Sequence, residues 1–329
     1  MSSNLFPAGI AGSLFGTALT LTGVYNSSVI TAQLRLEDFH TLKVFLAASS
    51  SSVLAISLYE KLSRRELSRR PQSSLSLICP YDGNIIGGAM LGIGMAMTGA
   101  CPGSIPIQFT LGMPSGRYLL MGGVLGGITY AFLARTLGKS CRSEQAQTLP
   151  KKLGISPNAA VLMFEAMAVS MIMVARSLHS SGKSFFDPTV AGLIVGATQL
   201  ATLILTKAPI GVSTFYEDIG NWFWDCLGYK DKGSTKPLFP MSRAIAFVGG
   251  IMVSSLILPR VVPEAIFRES LDISPLKSIL GAMVMILGAR TAGGCTSGHG
   301  ISGMSMMGIS SFITIASVFA GGIGFLSVM

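Results

Sequence analysis

The sequence predicts an all-α polytopic membrane protein, and three observations support this fold class. Half of the 329 residues are apolar, only 12% are charged, and the mean hydropathy is +0.60. Soluble domains carry about a quarter charged residues, so the lipid bilayer is the expected solvent of this chain. Long apolar runs such as "SFITIASVFAGGIGFLSVM" lack the alternation of barrel strands, so α-helices are the expected spanning elements.

A glycine-rich pattern occurs four times along the chain. Two copies begin with GxxxG at Gly12 and Gly88, a weaker copy begins at Gly192, and the fourth contains Gly288. A Gly or Pro break and a short apolar tail follow each copy, and these residues interrupt helical hydrogen bonding. Each copy therefore predicts a discontinuous helix with a longer arm, an unwound turn and a short arm. The short arms are expected to follow Gly23, Gly103, Gly211 and Gly298.

These patterns predict about nine transmembrane crossings, four of which are broken helices. The expected crossings are residues 5–38 (broken), 40–60, 84–112 (broken), 117–137, 158–178, 189–227 (broken), 241–258, 276–308 (broken) and 309–328. The loops at 61–83 and 138–157 are basic and fall on one side under this count, as the positive-inside rule requires. The fifth crossing inverts the second half of the chain, so 1–329 is expected to be one transmembrane transport domain. Its two inverted pseudo-repeats span about 5–137 and 158–329.

The net charge of +9 is explained by topology and does not indicate a nucleic-acid partner. The basic residues cluster in "YEKLSRRELSRRP" and "ARTLGKSCRSEQAQTLPKKLG", both between apolar spans. The five cysteines form no CxxC pair and no zinc spacing, so we expect neither a disulfide scaffold nor a metal site. The GKS tripeptides at 138–140 and 182–184 lack the upstream glycine of a P-loop, so we expect no nucleotide cofactor. The N-terminus has no basic n-region, so we expect no cleaved signal peptide.

The breaks are the candidate permeation site, because non-helical backbone at membrane depth survives only inside protein or beside a water-filled cavity. Short helices starting near Ser104 and Ser297 would direct their positive N-terminal ends at the breaks, which favours an anion. Arg290 lies inside an apolar arm and is a candidate for a full positive charge. Lys207 is a second candidate, equally explained as a lysine at the end of a span. The other candidate residues of the breaks are Gly99, Pro102, Gly103, Gly294, Thr296, Gly298 and Gly300.

Two cysteines occupy equivalent positions at the second and fourth breaks, Cys101 and Cys295. Each taken alone is better explained as a small buried residue, but their recurrence favours a function for the pair. A thiol is a soft, polarizable group and a weak donor, so the pair favours a sulfur-bearing anion. Cys79, Cys141 and Cys226 lie near loops or span ends and are interpreted as packing residues.

Three further features of the broken segments bear on the choice of solute. Tyr25 takes the cysteine position of the first copy and is interpreted either as a site residue or as an ordinary aromatic wall. His299 lies four residues after Cys295, but without a second ligand pair we expect a hydrogen-bonding or helix-start role. Glu217 and Asp218 are the main acids of the broken segments, and this scarcity argues against a cation path.

Two motifs identify a family resemblance. "GIGMAMTGACPGS" and "GARTAGGCTSGHGISG" closely resemble the two signatures of the YeeE/YedE sulfur-transport family, and "GVYNSSVI" with the sequence after it looks like that family's N-terminal part. The resemblance implies thiosulfate uptake through a narrow, hourglass-shaped path lined by cysteines. It also implies relay of the solute between thiols by S–H···S and S–H···O contacts, without a covalent bond. Cys101 and Cys295 match two of those cysteines, and Tyr25 stands where some members carry a third.

The leading functional prediction is a permease, not an enzyme, for thiosulfate or a related small sulfur-containing anion. The alternative is a membrane-embedded persulfide or sulfur-transfer enzyme with Cys101 or Cys295 as nucleophile and His299 as base. A structural membrane scaffold would not require four broken spans. The expected location is the plasma or bacterial inner membrane. The expected partners are the lipid bilayer, the sulfur anion and a soluble sulfurtransferase on the cytoplasmic side.

Overall fold

The structure is a computed structural model that describes residues 5–328 without 65, 78, 137–140, 143–145, 179–184, 230–241 and 268–270. The GKS tripeptides at 138–140 and 182–184 and the side chain of Cys141 lie outside the described residues. Helices dominate the described chain, as the sequence predicts. A short antiparallel pair joins β1 (Ser73–Ser74) to β2 (Cys141–Arg142), so the two basic loops meet on one face of the molecule.

Thirteen α-helices lie within the described residues. They are α1 (Leu5–Leu21), α2 (Ser27–Leu34), α3 (His40–Ser63), α4 (Asp82–Thr98), α5 (Ile105–Thr110), α6 (Gly116–Thr136), α7 (Leu149–Leu153), α8 (Pro157–Ser177), α9 (Pro188–Thr206), α10 (Thr214–Cys226), α11 (Arg243–Val261), α12 (Pro275–Thr291) and α13 (Ile309–Val328). A 3₁₀ turn at Pro263–Ala265 follows α11, and a π-helix at Ser297–Met304 connects α12 to α13. Side-chain caps begin four of these helices, and the capping residues are Ser156, Asp187, Ser242 and Ser274.

Six of the described helices are long and apolar enough to cross a membrane: α3, α6, α8, α9, α11 and α13. A typical bilayer requires about 20 residues of helix. α1, α4 and α12 have 17 residues each, because each of them stops at a break. Length and composition therefore establish six candidate spans rather than the nine predicted crossings.

The helices are interrupted at the four predicted places, residues 22–26, 99–104, 207–213 and 292–296. Gly99 ends α4 with a left-handed φ of 57°, and Lys207 ends α9 with a φ of 56°. Glycine adopts this conformation without steric cost, whereas a lysine in it is uncommon. A left-handed residue therefore ends the helix at both of these breaks, and it is a glycine at only one of them.

The short arms follow the breaks in two forms. α2, α5 and α10 are ordinary α-helices after the first three breaks. The fourth short arm begins at Ser297, slightly earlier than the expected start after Gly298, and it is a π-helix. Single π turns within helices often mark functional sites. The sequence predicted the position of this arm but not its wider helical form.

Glycines allow the long arms to pack closely. A Cβ atom on Gly12 would lie 1.9 Å from the carbonyl oxygen of Phe247, where α1 meets α11. A Cβ atom on Gly92 would lie 1.9 Å from the carbonyl oxygen of Val318, where α4 meets α13. Small residues allow helices to approach closely inside a membrane, so the GxxxG patterns position the arms around the breaks.

Candidate functional site

The first and second breaks are tied together by side chains on the short arms. Gln108 of α5 donates from Nε2 to the carbonyl oxygens of Tyr25 at 2.7 Å and Gly99 at 3.3 Å. Tyr216 of α10 donates its hydroxyl to the carbonyl oxygen of Pro102 at 3.2 Å. Gln108 and Tyr216 are fully buried, so these contacts gather the first two breaks with α10 in the protein interior.

The third and fourth breaks also meet. Ser302 of the π-helix donates its hydroxyl to the carbonyl oxygen of Ile210 at 3.0 Å and contacts Gln199 Oε1 at 3.0 Å. Ser302 and Gln199 are both fully buried. All four breaks therefore converge, as a shared site requires.

Cys101 lies at the turn of the second break. Its backbone N–H donates to the hydroxyl of Ser104 at 2.8 Å, and that hydroxyl donates to the Cys101 carbonyl at 3.1 Å. A Cβ atom on Gly103 would lie 3.9 Å from the Cys101 sulfur, so the turn folds beside the thiol.

Cys295 is fully buried at the fourth break. Its sulfur lies 3.2 Å from the Ser297 hydroxyl. Ser297 begins the π-helix, so this contact joins the thiol to the start of the fourth short arm.

The structure brings the two predicted thiols into one neighbourhood. Cys101 and Ser297 line one cavity, the Ser297 hydroxyl lies 3.2 Å from the Cys295 sulfur, and the Tyr216 hydroxyl binds Pro102, the residue after Cys101. Tyr216 is fully buried and was not expected at the site. Its position follows from the third break, which the sequence predicted, but nothing in its local sequence separates it from the neighbouring aromatics.

Two cavities reach the breaks. The first has a volume of about 90 Å³ and is lined mainly by apolar side chains, together with Cys101, Gly103, Thr296 and Ser297. The second has a volume of about 320 Å³ and touches the third break at residues 208–211. Among the described residues, one cavity therefore adjoins the second and fourth breaks, and another adjoins the third break.

Arg290 does not offer the uncompensated charge that the sequence suggested. Its guanidinium forms an ion pair with Glu217, donates to the Ser213 hydroxyl at 3.3 Å and lies 5.7 Å from the centre of the Tyr130 ring. Only 5% of Arg290 is exposed. Glu217, which no sequence pattern linked to Arg290, compensates this charge because α10 and α12 bring the two side chains together.

The other predicted residues have defined places. Tyr25 is fully buried, and its hydroxyl donates to the Phe267 carbonyl at 2.9 Å and accepts from the Phe267 N–H at 2.8 Å. His299 is fully buried, with Nδ1 at 3.0 Å from the Ser311 hydroxyl and Nε2 at 3.1 Å from the Ala292 carbonyl oxygen. These contacts match a hydrogen-bonding role for His299. Lys207 is exposed at the end of α9.

Arg70 is the residue that sequence reasoning missed. Its Nε donates to the carbonyl oxygen of Gly298 and its Nη1 to that of Gly293, both at 2.8 Å. The basic loop that contains Arg70 was attributed to membrane topology alone. No sequence signal separates Arg70 from Arg69 in "SRRELSRRP", because the contact depends on how the loop folds back onto the fourth break.

Comparison with known families identifies the family of this chain. The model of the family described as sulphur transport matches residues 22–324, which is most of the chain. This chain belongs to the sulphur transport family. The resemblance to the YeeE/YedE family carried by the two cysteine motifs is thereby confirmed. Family membership and the six apolar helices together make this sulphur transport protein an integral, multi-pass membrane protein.

Two proteins similar to this sulphur transport family member are named thiosulfate transporter TsuA. The protein of Spirochaeta thermophila is 22% identical over 334 residues, which cover 94% of this chain and 94% of that protein. The protein of Escherichia coli is 23% identical over 266 residues, which cover 74% of this chain and 73% of that protein.

Proposed function

We propose that this sulphur transport family member carries thiosulfate, or a related small sulfur-containing anion, through a narrow central path lined by thiols. The observation that supports this most directly is that Cys101 and Ser297 line one cavity, and that the Ser297 hydroxyl lies 3.2 Å from the buried Cys295 sulfur. Two thiols and a hydroxyl beside one space suit a small anion with a soft terminal sulfur. The two relatives named as thiosulfate transporters support the same substrate.

The proposed architecture has nine crossings in two inverted repeats around an hourglass-like path. The packing of the arms supports it, because α1 packs on α11 as α9 packs on α3, and α4 packs on α13 as α12 packs on α6. We take α1, α3, α4 and α6 of the first repeat as equivalent, in this order, to α9, α11, α12 and α13 of the second. Under this equivalence the α1–α11 pair corresponds to the α9–α3 pair, and the α4–α13 pair corresponds to the α12–α6 pair. α8 then stands between the repeats and inverts the second, an arrangement typical of transporters.

The energetics assign different tasks to the backbone and to the thiols. A dianion at membrane depth faces a desolvation cost of several kcal/mol or more, and weak S–H contacts do not offset it. The main compensation is assigned to backbone N–H groups of the breaks, where Cys101 and Cys295 lie. The thiols add preference for a solute with a soft terminal sulfur. No covalent intermediate is needed, so the protein is proposed to be a permease rather than an enzyme.

Charged side chains take a lesser part in this proposal. Arg290 acts on the third break through its contact with Ser213, because Glu217 already compensates its charge. Lys207 attracts the anion from an exposed position at the end of α9. A soluble sulfurtransferase on the cytoplasmic side remains the proposed acceptor of the delivered sulfur.

The alternative function, a persulfide enzyme, requires a base beside the nucleophilic thiol. His299 is the base that the sequence offered, but both of its ring nitrogens are engaged by Ser311 and Ala292. Mass spectrometry of the protein after exposure to thiosulfate separates the two functions. Unmodified Cys101 and Cys295 support a permease, and a stable persulfide on either supports the enzyme.

Uptake of radiolabelled thiosulfate into liposomes that contain only the purified protein tests the proposed function. We expect uptake that saturates with thiosulfate concentration and is absent from empty liposomes. Liposomes with the protein that take up no more label than empty ones would contradict a permease that works without a partner.

A further inference from the structure

Arg70 contacts both of the breaks that surround Cys295. Its Nη1 binds the carbonyl oxygen of Gly293 in the fourth break, and its Nε binds that of Gly298 in the first turn of the π-helix that follows. A Cβ atom on Gly211 of the third break would lie 3.1 Å from Arg70 Nη2. The guanidinium therefore lies against the third and fourth breaks at once.

Two glycines, one in the fourth break and one in the π-helix after it, leave space for this guanidinium. A Cβ atom on Gly294 would lie 2.7 Å from Arg70 Nη1, and one on Gly298 would lie 2.7 Å from Nη2. Real Cβ atoms do not approach other atoms this closely, so any larger residue would displace the arginine. These glycines therefore serve a bound side chain as well as the turn of the backbone.

Arg70 binds the carbonyl groups on both sides of Cys295 in the sequence. The carbonyl oxygens of Gly293 and Gly298, two residues before and three residues after Cys295, both accept from Arg70. Carbonyl oxygens carry partial negative charge and repel an anion. A guanidinium that holds them brings a full positive charge to the same place, since arginine stays protonated in proteins.

We propose that Arg70 determines selectivity for a divalent anion, by holding the two carbonyl groups and supplying a fixed charge beside the third and fourth breaks. This inference rests on the proposed transport of a small sulfur anion. Gly211 lines the cavity of about 320 Å³, and Arg70 lies against this glycine. An anion that moves from that cavity past the third break is therefore proposed to pass close to the Arg70 charge.

The charge of the substrate separates this role from a purely structural one. Methanethiosulfonate ion has the same terminal sulfur as thiosulfate but one negative charge instead of two. Arg70→Gln removes the positive charge, so the KM for thiosulfate is expected to rise roughly tenfold or more, whereas the inhibition constant of methanethiosulfonate should rise much less. Loss of a merely structural contact would weaken both anions equally.

Both constants are measured in liposomes, with radiolabelled thiosulfate and unlabelled methanethiosulfonate as competitor. Arg69→Gln is the matched control, because Arg69 is the adjacent residue in the loop and pairs with Glu60 at 3.9 Å and Glu66 at 3.5 Å. We expect Arg69→Gln to change neither constant. Arg70→Lys keeps the charge, so we expect it to keep the preference for the dianion even where Arg70→Gln does not fold.

The outcomes distinguish this inference from the proposed function. Wild-type protein that takes up no thiosulfate would contradict the proposed function itself. Wild-type uptake with an Arg70→Gln variant of unchanged KM would overturn only the role of Arg70. Equal weakening of thiosulfate and methanethiosulfonate, or an Arg70→Lys variant without preference for the dianion, would likewise overturn selectivity by charge.

Discussion

Arg290 of α12 and Glu217 of α10 form an ion pair in which only 6% and 19% of the two side chains are exposed. The pair joins the arm before the fourth break to the arm after the third. Because the two charges compensate each other, Arg290 positions the breaks more than it attracts an anion. This relationship changes what substitution of Arg290 is expected to do.

Arg290→Gln is expected to lower the free energy of unfolding by about 3–5 kcal/mol, because Glu217 keeps a poorly solvated charge without its partner. Thiosulfate uptake should fall strongly as a result. Thermal unfolding of the purified protein measures the first effect. The double variant with Glu217→Gln is the control and should regain most of the stability, whereas a double variant as unstable as the single would contradict the explanation.

Lys207→Gln should weaken thiosulfate uptake less than Arg290→Gln does, because Lys207 is exposed.

Cys101→Ala and Cys295→Ala are each expected to reduce thiosulfate uptake roughly tenfold or more while expression is unchanged. The alanine removes the soft sulfur that is proposed to contact the anion. Liposome uptake at equal protein content is the measurement. Cys226→Ala, at an exposed position, is the control and should transport normally. Wild-type rates in either of the first two variants would reduce that thiol to a packing residue.

Sulfate is expected to compete poorly with thiosulfate. It has the same charge but no terminal soft sulfur, so it can use the N–H groups and not the thiols. Inhibition of labelled uptake by unlabelled sulfate and unlabelled thiosulfate, at equal concentrations and ionic strength, makes the comparison. Equal inhibition would remove the thiols as the source of selectivity and leave a general anion path.

Gly300→Ala is expected to destabilise the π-helix. The added Cβ atom would lie 2.1 Å from Phe45 Cζ, and overpacking of this kind costs about 1–3 kcal/mol. Phe45→Leu in the same chain should recover part of the loss. Gly249→Ala is the matched control, because no atom lies within 4 Å of a Cβ atom there. Thermal unfolding that fails to distinguish Gly300→Ala from Gly249→Ala would contradict this packing.

Local sequence signals predicted the breaks but not their partners. Gly99 and the Cys101–Pro–Gly turn mark a helix end by backbone preference alone, and a preference of this kind is legible in a single sequence. The pairing of Arg290 with Glu217 joins residues 73 positions apart, and no local pattern encodes it. The same holds for Arg70, which lies 228 positions from Gly298. Residue types at the breaks were thus predictable, whereas the compensation of their charges depended on the tertiary fold.

The apolar lining of the cavity beside Cys101 affects whether protons can leak through the protein. The cavity that reaches this thiol is lined mainly by hydrocarbon, and Cys295 is fully buried. Apolar cavities of this kind stay dry. A proton crosses a bilayer by hopping along an unbroken file of water, and such surroundings interrupt that file. The path proposed here would therefore pass a small anion without also conducting protons across the membrane.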